Sequence, residues 1–404
     1  MKAGDIRALI KVRRPEPDPV RRRLRNCHDI ADLRAAARRL TPRPVFDYVD
    51  GGSDEEIALR ANAAAFRRWR FVPRALGGHK APGMEADILG RTHRLPLLLG
   101  PTGYTRMMHQ GGELAAARSA HRHDLPYTLS TMATTTIEDV ARAAPGADLW
   151  FQLYIQRDDG LNKELLARAA DAGYRVLMVT VDTMVPGHRI RDERNGLVIP
   201  PALTPSTLAS IAARPGYWLR MLRGPAIGFA NFPSLDAKTI AGSASLFEPS
   251  IGWDAIATVR ERWSGPLILK GPLSPADAGT AIEAGVDGVL LSNHGGRQLD
   301  RAVAPIDLLP GVRARLGPDV PVLVDSGVRH GADIAVALAL GADAVAIGRA
   351  YLYGLMAGGE TGVDHALELL EAEFTRTLHL LGAAGPTDLD PSMLREGGKS
   401  GRTV

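Results

Sequence analysis

The sequence predicts an α/β protein folded as a (β/α)8 TIM barrel, and three observations carry the prediction. From about residue 95, short apolar runs alternate with polar or glycine-rich tips and Ala-rich helical stretches, and eight such runs can be counted. The strings AGVDGVLLS from Ala284 and LGADAVAIG from Leu340 form a weak internal repeat. Their equivalent glycines, Gly285 and Gly341, are 56 residues apart, room for two βα units of about 28 residues. Residues 95 to 349 give about 250 residues for eight units, the size of such a barrel. A doubly wound sheet is disfavoured because no G-x-G-x-x-G follows the first strand of any unit.

Taken in order, residues 1–28 form a basic leader broken by Pro15, Pro17 and Pro19, and 29–70 read as a helical prelude. The strand runs are Leu95 to Gly100, Pro126 to Ser130, Leu149 to Leu153, Val176 to Val181, Pro266 to Lys270, Gly288 to Ser292, Pro321 to Asp325 and Ala344 to Gly348. Helical patterns lie between them at Glu113 to Arg122, Leu161 to Ala172, Ala276 to Ala284 and Ala332 to Leu340; Ser274 is a candidate N-cap before Pro275. An insertion at about 184–255 follows the fourth run and is far longer than an ordinary connection of about 15 residues or fewer. Its Trp218, Arg220, Arg223, Phe229 and Phe232 suit a lid or docking surface, or packing against a neighbouring subunit. Residues 362–382 read as a closing helix, the barrel domain is expected over 29–385, and 386–404 form a C-terminal tail.

Composition narrows the function. The 404 residues are 45% hydrophobic and 23% charged, as in an ordinary globular protein. A single cysteine, Cys27, excludes a disulfide scaffold and a zinc ribbon and suits a reducing cytoplasm. No stretch approaches the ~18 uncharged residues of a membrane span. The net charge is +4, yet residues 1–40 carry 12 Lys/Arg against 5 Asp/Glu, so the basic excess is an N-terminal arm. That arm is either solvated or attached to anionic lipid or an acidic partner. Nucleic-acid binding is not expected with 5% aromatic residues and no basic-aromatic stripe.

Catalytic groups of a (β/α)8 barrel stand at the C-terminal strand ends. Those tips read Pro101-Thr102-Gly103, Ser130, Gln152 with Tyr154, Thr180 with Asp182, Lys270, Ser292 with His294 and Arg297, Asp325-Ser326-Gly327, and Gly348-Arg349. They have the chemistry of a flat polar ligand plus a phosphate, the latter at the last two tips, where Gly327 and Gly348 admit close backbone approach and Arg349 adds a cationic fork. Lys270 ends an apolar strand and needs a negative partner, either Asp325 in a salt bridge or an anion that develops in a reaction. His294 shares the mouth with Asp182, Tyr154, Arg189 and Arg297. An Asp on the imidazole suits a general base, and two arginines suit a substrate carboxylate.

The strings FDYVDGGSDEE, GPTG, LSTMATTT, WFQLY, VTVDT, LKG, SNHGGRQLD, VDSGVR and IGRA, in this order, resemble the FMN-dependent L-2-hydroxy acid dehydrogenases and oxidases over residues 29 to 385. The leader, the insertion and the YLYGLMAGGE ending are most similar to bacterial quinone-dependent L-lactate dehydrogenases. The resemblance implies oxidation of an L-2-hydroxy acid, first of all L-lactate, with electrons passed to quinone; the alternative is an oxidase that makes peroxide from a larger acid such as mandelate. It implies FMN as cofactor, no metal, a homotetramer, and a cytoplasmic protein with peripheral contact to the inner face of the membrane. By resemblance His294 is the base and Asp182 orients it, Tyr154 meets the reacting oxygen, and Tyr48, Arg189 and Arg297 hold the carboxylate. Pro101, Thr102, Gly103, Ser130, Gln152, Thr180 and Ser292 line the flavin, with Lys270 at its N1/O2 edge. Asp325, Ser326, Gly327, Arg329, Gly348 and Arg349 take the ribityl and phosphate. Three positions depart from the pattern: Met132 stands in the substrate pocket where glycolate oxidase has Trp, Gly103 where many members have Ala, and Ser326 where a glycine is usual.

Overall fold

The computed structural model describes residues 16–77, 81–196, 205–232 and 248–397. Residues 1–15 of the leader, residues 78–80, parts of the insertion (197–204 and 233–247) and the end of the tail (398–404) lie outside the described residues.

Eight parallel strands close a barrel: β1 Leu97–Leu99, β2 Tyr127–Ser130, β3 Leu149–Leu153, β4 Val176–Thr180, β5 Leu267–Gly271, β6 Gly288–Leu291, β7 Val322–Val324 and β8 Ala344–Ile347. Each pairs with its chain neighbour, and β8 returns to β1 with Val345 opposite Leu97 and Ile347 opposite Leu99. Every predicted run contains one strand, and the true (β/α)8 barrel matches the expected class.

The period of two along a strand divides the side chains. Leu98, Trp150, Met178, Ile268 and Leu290 fill the barrel interior, whereas Leu97, Leu99, Phe151 and Leu177 face the outer helices. One pleat step further up the inner face come Ser130 beyond Thr128, Gln152 beyond Trp150, Thr180 beyond Met178, Lys270 beyond Ile268 and Ser292 beyond Leu290. The strands therefore carry an apolar plug below and a ring of polar groups at the top. A hairpin, Ala86–Asp87 with Thr92–His93, closes the bottom and inserts Ile88 into the interior.

The outer helices also follow the sequence. The predicted Ser274 N-cap is present: its hydroxyl accepts from Asp277 N, the Asp277 carboxylate accepts from Ser274 N, and Pro275 occupies the first turn. The helical prelude is α1 Pro19–Leu24, α2 Ile30–Leu40, α3 Arg43–Asp50 and α4 Ile57–Arg67.

Two expected domain boundaries do not coincide with the packing. The leader was expected to be separate to residue 28, but Asp18 caps α1, Pro19 starts it, and buried Leu24 packs at Gly358. Arg23 donates to Ala357 O at 2.5 Å. Proline acts here as a helix starter, which three spaced prolines alone do not disclose. The tail was expected to begin at 386, but Leu394–Glu396 pairs antiparallel with Trp69–Phe71 and buries Met393. The closing helix is longer than expected, Arg349–Leu381, with a break at Gly358 and Gly359.

Within the insertion, Ile190–Arg194, Pro205–Ala212 and Pro215–Leu222 are helical. Tyr217 is buried and donates to Met107 O at 2.6 Å, and the Phe229 ring packs edge-on to Tyr104 at 4.9 Å. This stretch thus covers one side of the barrel mouth.

Candidate active site

A cavity of about 450 Å³ opens at the C-terminal ends of the strands. A wider depression at the opposite end is lined by the strand entrances, including Pro266, Asp287, Pro321 and Asp343, and contains none of the predicted site residues. The upper cavity gathers Tyr48, Pro101, Thr102, Gly103, Ser130, Met132, Tyr154, Arg189, Lys270, His294 and Arg297. Asp325, Ser326, Gly327, Arg329, Gly348 and Arg349 line its other part. Four predicted residues, Gln152, Thr180, Asp182 and Ser292, stand behind this lining.

His294 lies in the loop after β6 with φ +57, an uncommon conformation for a side-chain-bearing residue. Its Nδ1 is 3.0 Å from Asp182 Oδ1, beyond the end of β4. Burial pushes the His294 pKa below its ordinary value, and the Asp182 carboxylate only partly opposes this. Burial would raise Asp182, but its contacts with His294 and Lys270 outweigh it and hold that carboxyl below its ordinary range. A neutral imidazole with Nδ1–H donated to a carboxylate leaves Nε2 free to accept a proton. Gln298 braces the pair, donating from Nε2 to Asp182 O at 2.7 Å while its Oε1 accepts from Gly187 N at 3.1 Å.

The two glycines after His294 are a packing requirement. Gly296 has φ +74, and a Cβ there would meet Leu59 N of α4 at 2.5 Å. Gly296 O accepts from Ser53 N at 2.9 Å, so α4 and the chain leading into it sit directly on the His294 loop.

Cationic groups converge beside the imidazole. The Tyr48 ring, on α3, lies between two guanidiniums, with Arg297 4.8 Å and Arg189 5.8 Å from its centroid. Arg297 donates to Tyr48 O and Gly51 O, and burial followed by the charge of Arg189 lowers its pKa. Arg189 pairs with Asp192 at 3.1 Å. Asp50, at the end of α3, accepts from Arg34, Tyr353 and Arg191 at 2.5, 2.8 and 3.1 Å, and so anchors the helix that presents Tyr48.

The floor fits a flat polar cofactor. Gln152 Nε2 and Thr180 Oγ1 are buried with no hydrogen-bond partner among the described residues, though Gln152 Oε1 accepts from Ser130 Oγ at 3.0 Å. Unpaired buried groups are costly, and a ring system with its own donors and acceptors would relieve them. Lys270 Nζ is 4.0 Å from Asp325 Oδ2, one of the two partners expected for it. At Gly327, φ is +123 and a Cβ would meet Asn62 O at 2.7 Å, so only glycine admits this backbone.

Three residues expected to hold the cofactor at this end make hydrogen bonds within the protein. The Arg349 fork, expected on the phosphate, donates to Val49 O, Gly295 O and Gly51 O at 2.7, 2.8 and 2.7 Å. Burial lowers its pKa to about 10. The Ser292 hydroxyl, expected to face the cofactor, is fully buried and accepts from His294 N at 3.0 Å. The Ser326 hydroxyl, expected beside the phosphate, donates to Asp325 Oδ1 at 2.6 Å and accepts from Gly295 N at 3.0 Å.

Tyr104 and Glu113 were not singled out from sequence. Tyr104 lines the cavity at φ +56 next to Tyr48 and Phe229, and its buried hydroxyl has no partner among the described residues. Buried Glu113 accepts from Thr134 N and Oγ1 and from Thr135 Oγ1 at 2.7 to 2.9 Å, joining the loops after β1 and β2. The GPTG string pointed at the first loop, but nothing local signals that a helical Glu reaches back to it.

The barrel thus carries a His–Asp pair, clustered arginines and a polar floor at its upper rim. Residues 37–396 match the family described as FMN-dependent dehydrogenase. The chain belongs to this family. It is 43% identical over 387 residues to a Mycobacterium tuberculosis protein provisionally named L-lactate dehydrogenase, covering 96% of this chain and 94% of the relative. It is 39% identical over 369 residues to the L-lactate dehydrogenase of Yersinia pestis (strain Pestoides F), covering 90% and 97%. A solved structure described as the monotopic membrane protein (S)-mandelate dehydrogenase superposes with a TM-score of 0.88 at 39% identity, over 92% of this chain and 100% of that one.

Proposed function

We propose that this enzyme oxidises an L-2-hydroxy acid, L-lactate first, to the 2-oxo acid, and that a quinone is the final oxidant. The observation that carries the reading is the His294–Asp182 pair at 3.0 Å facing a cavity shared with Arg189, Arg297 and Tyr154. Arg189, Arg297 and the Tyr48 hydroxyl bind the carboxylate, which fixes the α-carbon. The Tyr154 hydroxyl hydrogen-bonds the reacting oxygen; burial raises its pKa, so it stays a donor. His294 Nε2 takes one substrate proton, and Asp182 stabilises the imidazolium that forms. FMN, when bound, supplies the two-electron acceptor. Gln152, Thr180, Ser130 and the β1 tip would hold its ring, Lys270 would stabilise negative charge at its edge, and Asp325, Gly327, Arg329 and Gly348 would hold its chain and phosphate.

A larger substrate is the second reading, favoured by Met132 in the cavity wall, a side chain smaller than the Trp noted for glycolate oxidase. A Cβ at Gly103 would meet Met132 Cβ at 3.1 Å, so the glycine lets the loops after β1 and β2 pack closely. Anaerobic mixing of the FMN-loaded enzyme with L-lactate and with (S)-mandelate tests both. Bleaching of the visible flavin band by lactate, with recolouring by a quinone analogue faster than by air, is the expected outcome. Bleaching by mandelate alone would move the substrate to aryl acids, and rapid recolouring by air with peroxide would make it an oxidase. His294→Ala is expected to lose ~10²-fold or more in turnover.

The same proposal places the enzyme on the inner membrane face as a homotetramer. Leu208, Leu219 and Leu222 are exposed on the insertion helices, in a stretch that also carries Arg220 and Arg223. Among the described residues no helix is long and apolar enough to cross a membrane.

A further inference from the structure

Ser326 follows Asp325 at the tip of β7 with φ +68, a conformation that favours glycine and carries a conformational cost for serine. A hydroxyl has one proton to give and two lone pairs to receive, and here all three are used. Ser326 Oγ donates to Asp325 Oδ1 at 2.6 Å and accepts from Gly295 N at 3.0 Å and Asn293 N at 3.3 Å. These two amides flank His294, whose own N–H goes to Ser292 Oγ at 3.0 Å. Three consecutive amides of the loop therefore end on two serine hydroxyls. The other oxygen of Asp325 faces Lys270 Nζ at 4.0 Å. One buried side chain thus ties the loop that carries the His294 imidazole to the Asp325–Lys270 pair across the cavity floor, and no capacity is left for a phosphate.

We propose that Ser326 is a positioning residue for the base: its hydroxyl fixes the Asn293–Gly295 backbone so that the His294 ring stays aligned with Asp182 over the cavity. Glycine at this position would relax the backbone yet leave Asn293 N and Gly295 N without this acceptor. The side chain therefore acts through the loop it holds and not through contact with the reacting atoms.

The test compares Ser326→Gly and Ser326→Ala with the wild type, each loaded with FMN. In both, kcat is expected to fall about tenfold with KM changed by less than about twofold, because displacement of a catalytic group costs rate before it costs binding. The melting temperature of Ser326→Gly is expected to lie above that of Ser326→Ala, since both lose the hydroxyl but only alanine keeps a side chain at the positive φ. Amide hydrogen exchange at Asn293 and Gly295 is expected to accelerate in both variants. Unchanged kcat, unchanged exchange at those two amides, or a Ser326→Gly variant that loses kcat, KM and melting temperature together would overturn the proposal. If Ser326→Ala does not fold, Ser326→Gly decides alone. The kinetic arm rests on the proposed 2-hydroxy acid oxidation; a wild type that oxidises no such acid refutes that reading, while amide exchange still decides the role of Ser326.

Discussion

His294 shows how two opposing effects on one residue set a working pH. Burial lowers its pKa and Asp182 raises it, with burial winning. A base whose pKa lies below 6.5 is already neutral at pH 7, so kcat/KM is expected to hold flat from pH 8 down through about 6.5 and to fall only below that. Asp182→Asn removes the group that favours the imidazolium. The acid limb should then move lower still while kcat drops, because the charge formed on proton transfer is no longer compensated. A limb centred above pH 7 in the wild type would contradict this assignment. Most residues lining the cavity were legible from the strand-tip rule, since a short apolar run ends where its polar tip begins, whereas Tyr48, Met132 and Arg329 were expected only from the family resemblance. Their hydrogen-bond allegiances were not: Arg349 looks free in IGRA, and only the fold brings three carbonyls to its guanidinium.

At the scale of elements, α3 is the lever that carries Tyr48 to the cavity, and its last residue, Asp50, is the anchor. Burial alone would raise the Asp50 pKa; hydrogen bonds from Arg34, then Tyr353 and Arg191, outweigh it and bring the value to about 2. A depressed carboxyl contributes stability that is fully present above its ordinary value of 3.8 and is lost as pH falls through about 2. The shift corresponds to about 2 kcal/mol. Asp50→Asn is expected to lose an amount of that order at pH 7 in denaturant unfolding, and to show a shallower loss between pH 4 and 2 than the wild type. Equal stability at pH 7 would show that the three donors find other partners. The strands and the outer helices could be read from periodicity and caps, as Ser274 and Pro275 illustrate. Where α1 packs could not, because a six-residue basic helix becomes stable only against a distant kink.

For the whole molecule, the proposed membrane contact falls on the insertion helices, where Leu208, Leu219 and Leu222 are exposed. If the exposed leucines rest on lipid, the protein should float with vesicles containing anionic lipid at low salt, and Leu219→Asp with Leu222→Asp should leave it at the bottom of the gradient while turnover with a soluble acceptor continues. Flotation unaffected by both substitutions would move the contact elsewhere. The amino-acid order by itself determined the barrel, the order of its strands and the chemistry at each tip, because the period of two and the apolar runs are local properties. Only the tertiary structure decided which amides end on Ser292 and Ser326, which carbonyls occupy Arg349, and that Tyr104 and Glu113 belong to the site. Those are contacts between residues far apart in the chain, brought together by closure of the barrel and docking of α3 and α4 over its mouth, and no local pattern encodes them.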